Sequence, residues 1–194
     1  MSSFLAHSMM GVALANKKEK ASIKEIMLVS LFFVSLASSP DMDYLIRYLY
    51  GISFPIRYTH SIAYVFLVGL IALVFRNFLF KEYLKHIPIW IFFLVPLSHL
   101  LLDFLVGVHA NPYFYPFSEE ELTSPIGILP SAGRINLYNF YFWRNIGIEL
   151  AIFIPLVFVI QKQLRAYLLG KKILMIGLLI LFVVGVVIGI GLDR

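Results

Sequence analysis

"WIFFLVPLSHLLLDFLVGV", Trp90 to Val108, is apolar enough to enter a bilayer, yet it carries His99 and Asp103. The two stand four positions apart, so on a helix they share one face about one turn from each other. An ionisable side chain inside a membrane segment is costly, and its default reading is functional. Whether this stretch is a membrane helix decides the fold, and the rest of the chain answers that question.

The chain has 194 residues, of which 60% are hydrophobic, 16% aromatic and only 14% charged, with mean hydropathy +0.87. A soluble domain is roughly 45–50% apolar and about 25% charged. The expectation is an all-α, polytopic integral membrane protein forming a single membrane domain over residues 1–194. No repeat, low-complexity tract or soluble boundary interrupts it. The net charge of +5 fits cytoplasmic anchoring by Lys and Arg better than nucleic-acid binding, which is set aside. There is no cysteine, so any metal must be held by His, Asp, Glu or backbone oxygen.

Five apolar runs read as membrane helices: Ile23–Ser38, His60–Phe75, Ile87–Val106, Asn145–Ile160 and Ile173–Leu192. Some are short for a full crossing. The N-terminal "SSFLAHSMMGVALAN" is a weaker sixth. Its Ala13-Leu14-Ala15 mimics a cleavage site, but Lys17, Lys18 and Lys20 follow the apolar part instead of preceding it. That polarity is reversed for a secretory signal, so it reads as a retained helix.

The basic residues set an orientation. Lys17, Lys18, Lys20 and Lys24 precede the second helix; Arg76, Lys81 and Lys85 follow the third; Lys162, Arg165, Lys171 and Lys172 separate the last two. These clusters fall on one side, which the positive-inside bias makes cytoplasmic. The other side carries Asp41, Asp43 and Glu119 to Glu121, with scattered Arg47, Arg57, Arg134 and Arg144. There "YLIRYLYGISFPIRY" reads as an interfacial helix ended at Gly51. Residues 107–144 read as an extracytoplasmic loop or lid, rich in proline, and "RINLYNFYFWRN" as a return along the interface.

Seven potential ligands from five segments then share one leaflet. Asp41 and Asp43 follow the second helix, His60 opens the third, and Asp103 lies near the outer end of the fourth with His99 about 6 Å deeper. Glu149 is in the first turns of the fifth helix, and His7 is in the N-terminal one. Plainer readings exist for most of them. Ser39-Pro40-Asp41 fits a helix start, Glu149 could pair with Arg144, and His7 and His60 could be satisfied by backbone. His86 reads as a solvated boundary residue and His109 as part of the outer loop. The His99–Asp103 pair is hardest to explain that way. Carboxylates crowded in low dielectric repel or titrate upward, whereas one or two divalent cations would cancel their charge. Two ions about 3.5–4 Å apart clamp the attacking and leaving oxygens of a phosphoester.

The ordered set "AHSMMG", "LASSPDMDYL", "RYTHSIAY" and "SHLLLDFLVGVHANPYFYPFS" resembles the YdjM-like family of LexA-regulated, inner-membrane metal-dependent hydrolases. The resemblance runs from the N-terminus to about Ser118, with Glu149 as a continuation. It implies a polytopic helical protein of the cytoplasmic membrane whose metal site is His7, Asp41, Asp43, His60, His99 and Asp103. A more distant similarity, to zinc-dependent phospholipase C and P1-type nucleases, implies zinc ahead of manganese or magnesium. The segment "FLVGVHANPYFYPFS" departs from the Gly- or Thr-rich segment usual in the family and adds His109. Substrate contacts are where this chain differs.

The combined expectation is a metal-dependent hydrolase that cleaves a phosphoester of a membrane lipid or lipid-linked phosphate at the outer leaflet. Glu149 and Asp43 are the candidate catalytic carboxylates. Arg57, Arg144 or Arg134 would hold the phosphate, with Ser118 and Tyr115 lining the entrance. The rivals are a metal- or proton-coupled transporter and a non-catalytic membrane protein with a structural metal. A transport pathway needs polar groups in the inner leaflet, and the inner halves of the spans are almost entirely Leu, Ile, Val and Phe.

Overall fold

The computed structural model describes residues 4–15, 22–130, 136–161, 164 and 168–192. Lys17, Lys18, Lys20, Arg134, Lys162 and Arg165 lie outside the described residues. Eight α-helices are described: α1 Phe4–Leu14, α2 Ile23–Ala37, α3 Met42–Tyr50, α4 Ile62–Phe78, α5 Lys81–Leu84, α6 Ile91–Val106, α7 Phe140–Ile160 and α8 Lys172–Ile190. The only β-pairing among the described residues is one antiparallel bridge, Asn111 with Leu122.

Local chemistry sets the ends of these helices. Ser22 and Glu25 form a reciprocal capping box at the start of α2: Ser22 Oγ accepts from Glu25 N at 3.3 Å and Glu25 Oε2 from Ser22 N at 2.8 Å. Two 3₁₀ turns, Ser39–Asp41 and Tyr58–His60, lead into α3 and toward α4. α3 ends at Gly51, as the sequence suggests, with φ +70°, a conformation that disfavours a side chain. Asp41, read as a helix-start acid, makes no side-chain cap bond.

Other boundaries move. The run expected to open at His60 starts as α4 at Ile62: His60 ends the second 3₁₀ turn, and Ser61 takes the cap, accepting from Tyr64 N at 3.2 Å. The run expected from Ile87 begins at Ile91, after the separate short helix α5. The "NFYFWRN" segment, expected to return along the interface, forms the first turns of α7, because Asn139 caps it by accepting from Tyr141 N at 2.9 Å.

Five membrane-length helices were expected. α7 and α8 are long and apolar enough to cross a membrane, and α2 with α3, bent by 54°, makes a third span if the pair counts as one. α1, α4 and α6, at 11, 17 and 16 residues, are apolar but shorter.

Helix α1 packs against α2, α6 and α7, while α4 packs on α6 and α8 on α7. Its fit against α2 is close enough that a Cβ on Gly11 would stand 2.6 Å from the Phe33 carbonyl oxygen. Two apolar cores result. One joins α2 and α6 through Phe33, Phe92 and Val95. The other joins α1, α6 and α7 through Ala6, Leu102, Ile148 and Ile152. His7 and Asp103 each follow a residue of this second core, so packing carries both inward.

Candidate metal centre

Five side chains from four elements converge at one end of the bundle: His7 on α1, Asp41 on the first 3₁₀ turn, His60 on the second, and His99 and Asp103 on α6. The three imidazoles are buried to 1% exposure or less and Asp103 to 3%. Such burial of ionisable groups is stable only where they are paired or hold a metal.

Backbone and hydroxyl partners orient the rings. His99 Nδ1 lies 2.8 Å from the Ala37 carbonyl, at the end of α2 where a helix leaves its carbonyls without intrahelical partners. A carbonyl only accepts, so Nδ1 carries the proton and Nε2 presents a lone pair to the centre. His60 Nδ1 lies 3.1 Å from Thr59 Oγ1 and likewise turns Nε2 inward. The His7 ring stacks on that of His99 with centroids 3.6 Å apart.

Four inward atoms form a ring of near-equal sides. His60 Nε2 is 3.5 Å from Asp41 Oδ1 and 3.4 Å from Asp103 Oδ2; His99 Nε2 is 3.6 Å from Asp41 Oδ1 and 3.7 Å from Asp103 Oδ2. A tetrahedral ion with bonds of about 2.0–2.2 Å separates its ligands by about 3.3–3.6 Å. Each side of the ring thus matches the separation of adjacent ligands and the donor types suit a divalent ion, while Asp41 and Asp103 stand across the ring in separate three-donor groups. Two of them, Asp41 Oδ1 and His99 Nε2, are buried atoms that make no hydrogen bond. Asp103 turns its other oxygen to His7 Nε2 at 3.5 Å. His7, Asp41 and His99 make a second possible ligand group beside His60, His99 and Asp103.

Asp43, expected among the ligands, faces elsewhere. Its Oδ2 accepts from Arg57 Nε at 2.9 Å and its Oδ1 from Tyr44 N at 2.8 Å. It remains 3.9 Å from His60 Nδ1. Arg57 also donates from Nη2 to His60 Nε2 at 2.6 Å, a bond that an ion held by that nitrogen would replace, and from Nη1 to Asn111 Oδ1 at 3.0 Å, and its guanidinium lies over the Tyr44 ring at 4.6 Å. Asn111 and Tyr44 were not singled out in the sequence. Asn111 is buried and fixed by its bridge to Leu122, a non-local pairing that spacing does not reveal.

The remaining candidates sit on α7 and in the outer loop. Glu149 is buried on α7 beside Ile148, which belongs to the core shared with α1 and α6. Arg144 donates from Nε to Asn145 Oδ1 and stacks on Tyr141. Ser118 accepts from Glu120 N at 3.1 Å in the outer loop, where Tyr115 precedes Pro116 through a cis peptide. His109 is exposed and His86 half-buried at the basic end. Arg134 lies outside the described residues.

Fold and centre together define a helical membrane protein that gathers histidines and aspartates at one end of its bundle. The chain belongs to the YdjM inner membrane protein family, whose model matches residues 1–193. No curated protein and no solved structure matches it.

Proposed function

We propose that the chain is a membrane-embedded, metal-dependent hydrolase that cleaves a phosphoester of a lipid or lipid-linked substrate at the outer leaflet of the cytoplasmic membrane. One observation carries the reading. Four donor atoms, from His60, His99, Asp41 and Asp103, form a ring whose four sides match the separation of adjacent ligands on a divalent ion. His7 extends that set on the far side of Asp103. One ion, with zinc first by ligand type, or two would be held there. A bound divalent ion would lower the pKa of a coordinated water and polarise a phosphoryl oxygen.

The chain's own groups divide the remaining work. Arg57 and Asp41 form the more open edge of the centre, with side chains 22% and 21% exposed. Arg57 would offer a guanidinium fork there for a phosphate, its Nη2 freed from His60 Nε2 once that nitrogen holds an ion. Asp43 fixes the fork through Nε and Asn111 through Nη1. With both Asp43 oxygens committed to donors, Glu149, buried on α7, is the remaining candidate carboxylate that would take a proton. Multi-pass insertion with the centre outward is supported by the basic residues Lys24, Arg76, Lys81, Lys85, Lys171 and Lys172, which precede or follow the opposite helix ends.

Metal analysis of the purified protein, beside His99→Ala and Asp103→Asn, tests the centre. Loss of the ion in both variants is expected, and full retention in both would remove the assignment. Phosphate release from a panel of lipid phosphates and phosphodiesters tests the chemistry. A metal-loaded protein that turns over none of them would move the reading to a structural ion.

A further inference from the structure

Beside the centre, in the seam between α4 and α6, lies an open apolar groove of about 430 Å³. Leu100 and Tyr113 form its buried floor; Ile62, Leu97, Leu101 and Phe114 form its exposed rim. Among the described residues no charged side chain lines it. Ligand pockets commonly occupy about 300–1,000 Å³ and carry a few polar groups that fix orientation. This groove has the size without those groups, so whatever it holds must be oriented by something adjacent.

Its lining residues adjoin those of the centre along the chain. Ile62 lies two residues beyond His60, and Leu100 and Phe104, both lining residues, directly follow His99 and Asp103 on α6. The floor also reaches the open edge through hydrogen bonds. Asn111 Nδ2 donates to Tyr113 Oη at 3.4 Å, and Asn111 Oδ1 accepts from Arg57 Nη1 at 3.0 Å. Burial raises the Tyr113 pKa above the ordinary tyrosine value, so the hydroxyl stays neutral against the hydrocarbon wall. The rim side chains continue the apolar surface that α4 and α6 present around it, with Phe66 and Leu67 exposed on α4.

We infer that this groove seats a hydrocarbon chain of the substrate and sets its phosphate at the edge formed by Arg57 and Asp41. The substrate class is thus a phosphate ester attached to a long acyl or prenyl chain. The inference rests on the phosphoester reading of the centre. A bilayer already shields such a chain from water, so the groove contributes position more than hydrophobic free energy. Its selectivity comes from shape: a chain lying between Leu97, Leu101 and Phe114 has its head beside the centre, and a chain elsewhere on the surface does not.

The test uses the full chain in phosphatidylethanolamine vesicles with Leu101→Trp, which places an indole on the exposed rim without entering the core. Leu179→Trp, on the exposed face of α8, is the control. A phosphatidylethanolamine with a photoreactive diazirine in its acyl chain should label peptides containing Leu97 to Phe104 and Tyr113 to Phe114 most heavily. Leu101→Trp should cut that labelling by about fivefold or more, and Leu179→Trp should leave it unchanged. Even labelling across α4, α7 and α8, or labelling unaffected by Leu101→Trp, would overturn the groove. In hydrolysis, Leu101→Trp should lower kcat/KM about tenfold for a long-chain phosphoester and leave a short, soluble phosphodiester unaffected. Equal loss on both esters would also overturn it. If the wild type cleaves neither, the hydrolase reading fails while the labelling still decides the groove.

Discussion

At the end of the bundle that carries His60 and Asp103, polar side chains are buried and reach partners far along the chain. His99 bonds a carbonyl 62 residues away and Arg57 an amide 54 residues away. At the end that carries Arg76 and Lys85, charge lies near the surface and reaches locally. Arg76 donates to the carbonyls of Leu84 and Lys85, and Lys85 pairs with Glu82 at 3.1 Å with both side chains more than half exposed. Both ends sit on apolar helices, so composition does not separate them. What separates them is whether water can replace the partner. Water readily replaces an exposed one, and such pairs are worth about 0–1 kcal/mol. A buried group has no substitute, so its partner is held in place by the fold.

The sharpest way to break this contrast is to remove a donor from the buried ring. His99→Ala should weaken divalent-ion binding by more than about a hundredfold in titration calorimetry, since even outer partners of metal ligands are worth about 10–100-fold. Chelator should lower the wild-type melting temperature, reflecting about 2.7 kcal/mol at a hundredfold excess of ion over Kd. It should leave the His99→Ala melting temperature where it is. An equal chelator shift in both proteins would mean that the ion sits elsewhere.

Arg57→Ala divides the buried end itself. The ion should remain, while phosphoester turnover falls by about a hundredfold, the scale of losing one donor aimed at developing charge. Loss of the ion with the arginine would place Arg57 within the metal-binding structure instead. Gly11→Val asks whether packing, without any polar change, also supports the centre. The added side chain meets the Phe33 carbonyl, and a loss of about 1–3 kcal/mol is expected in denaturation. The mildest change is at the other end. Lys85→Ala or Glu82→Gln should shift stability by less than about 0.5 kcal/mol and leave ion binding untouched.

The same contrast explains what the sequence could reveal. His99 and Asp103 were legible because i, i+4 spacing in an apolar run is a strong pattern, and His60 and Asp41 joined them through the order of spans and charges. The start of α7 was not legible. Tyr141, Phe142 and Trp143 suit a helix and an interface equally, and only the Asn139 cap decides between them. Nor was the direction of Asp43. It lies two residues from Asp41, and the tight turn into α3 hands one carboxylate to the histidines and the other to Arg57. Asn111 escaped because its place depends on Leu122 across a loop, a pairing without periodicity.

The packing of α1 has a consequence in time. His7 is made well before its carboxylate neighbour Asp103. Gln161, whose Nε2 donates to the Val12 carbonyl at 2.9 Å and so ties the far end of α7 to α1, comes later still, 149 residues on. Pairings of such separation close after local structure forms. An ion taken up by the full set of donors would therefore mark a chain in which α1 has already docked against α6, and metal content would count such molecules.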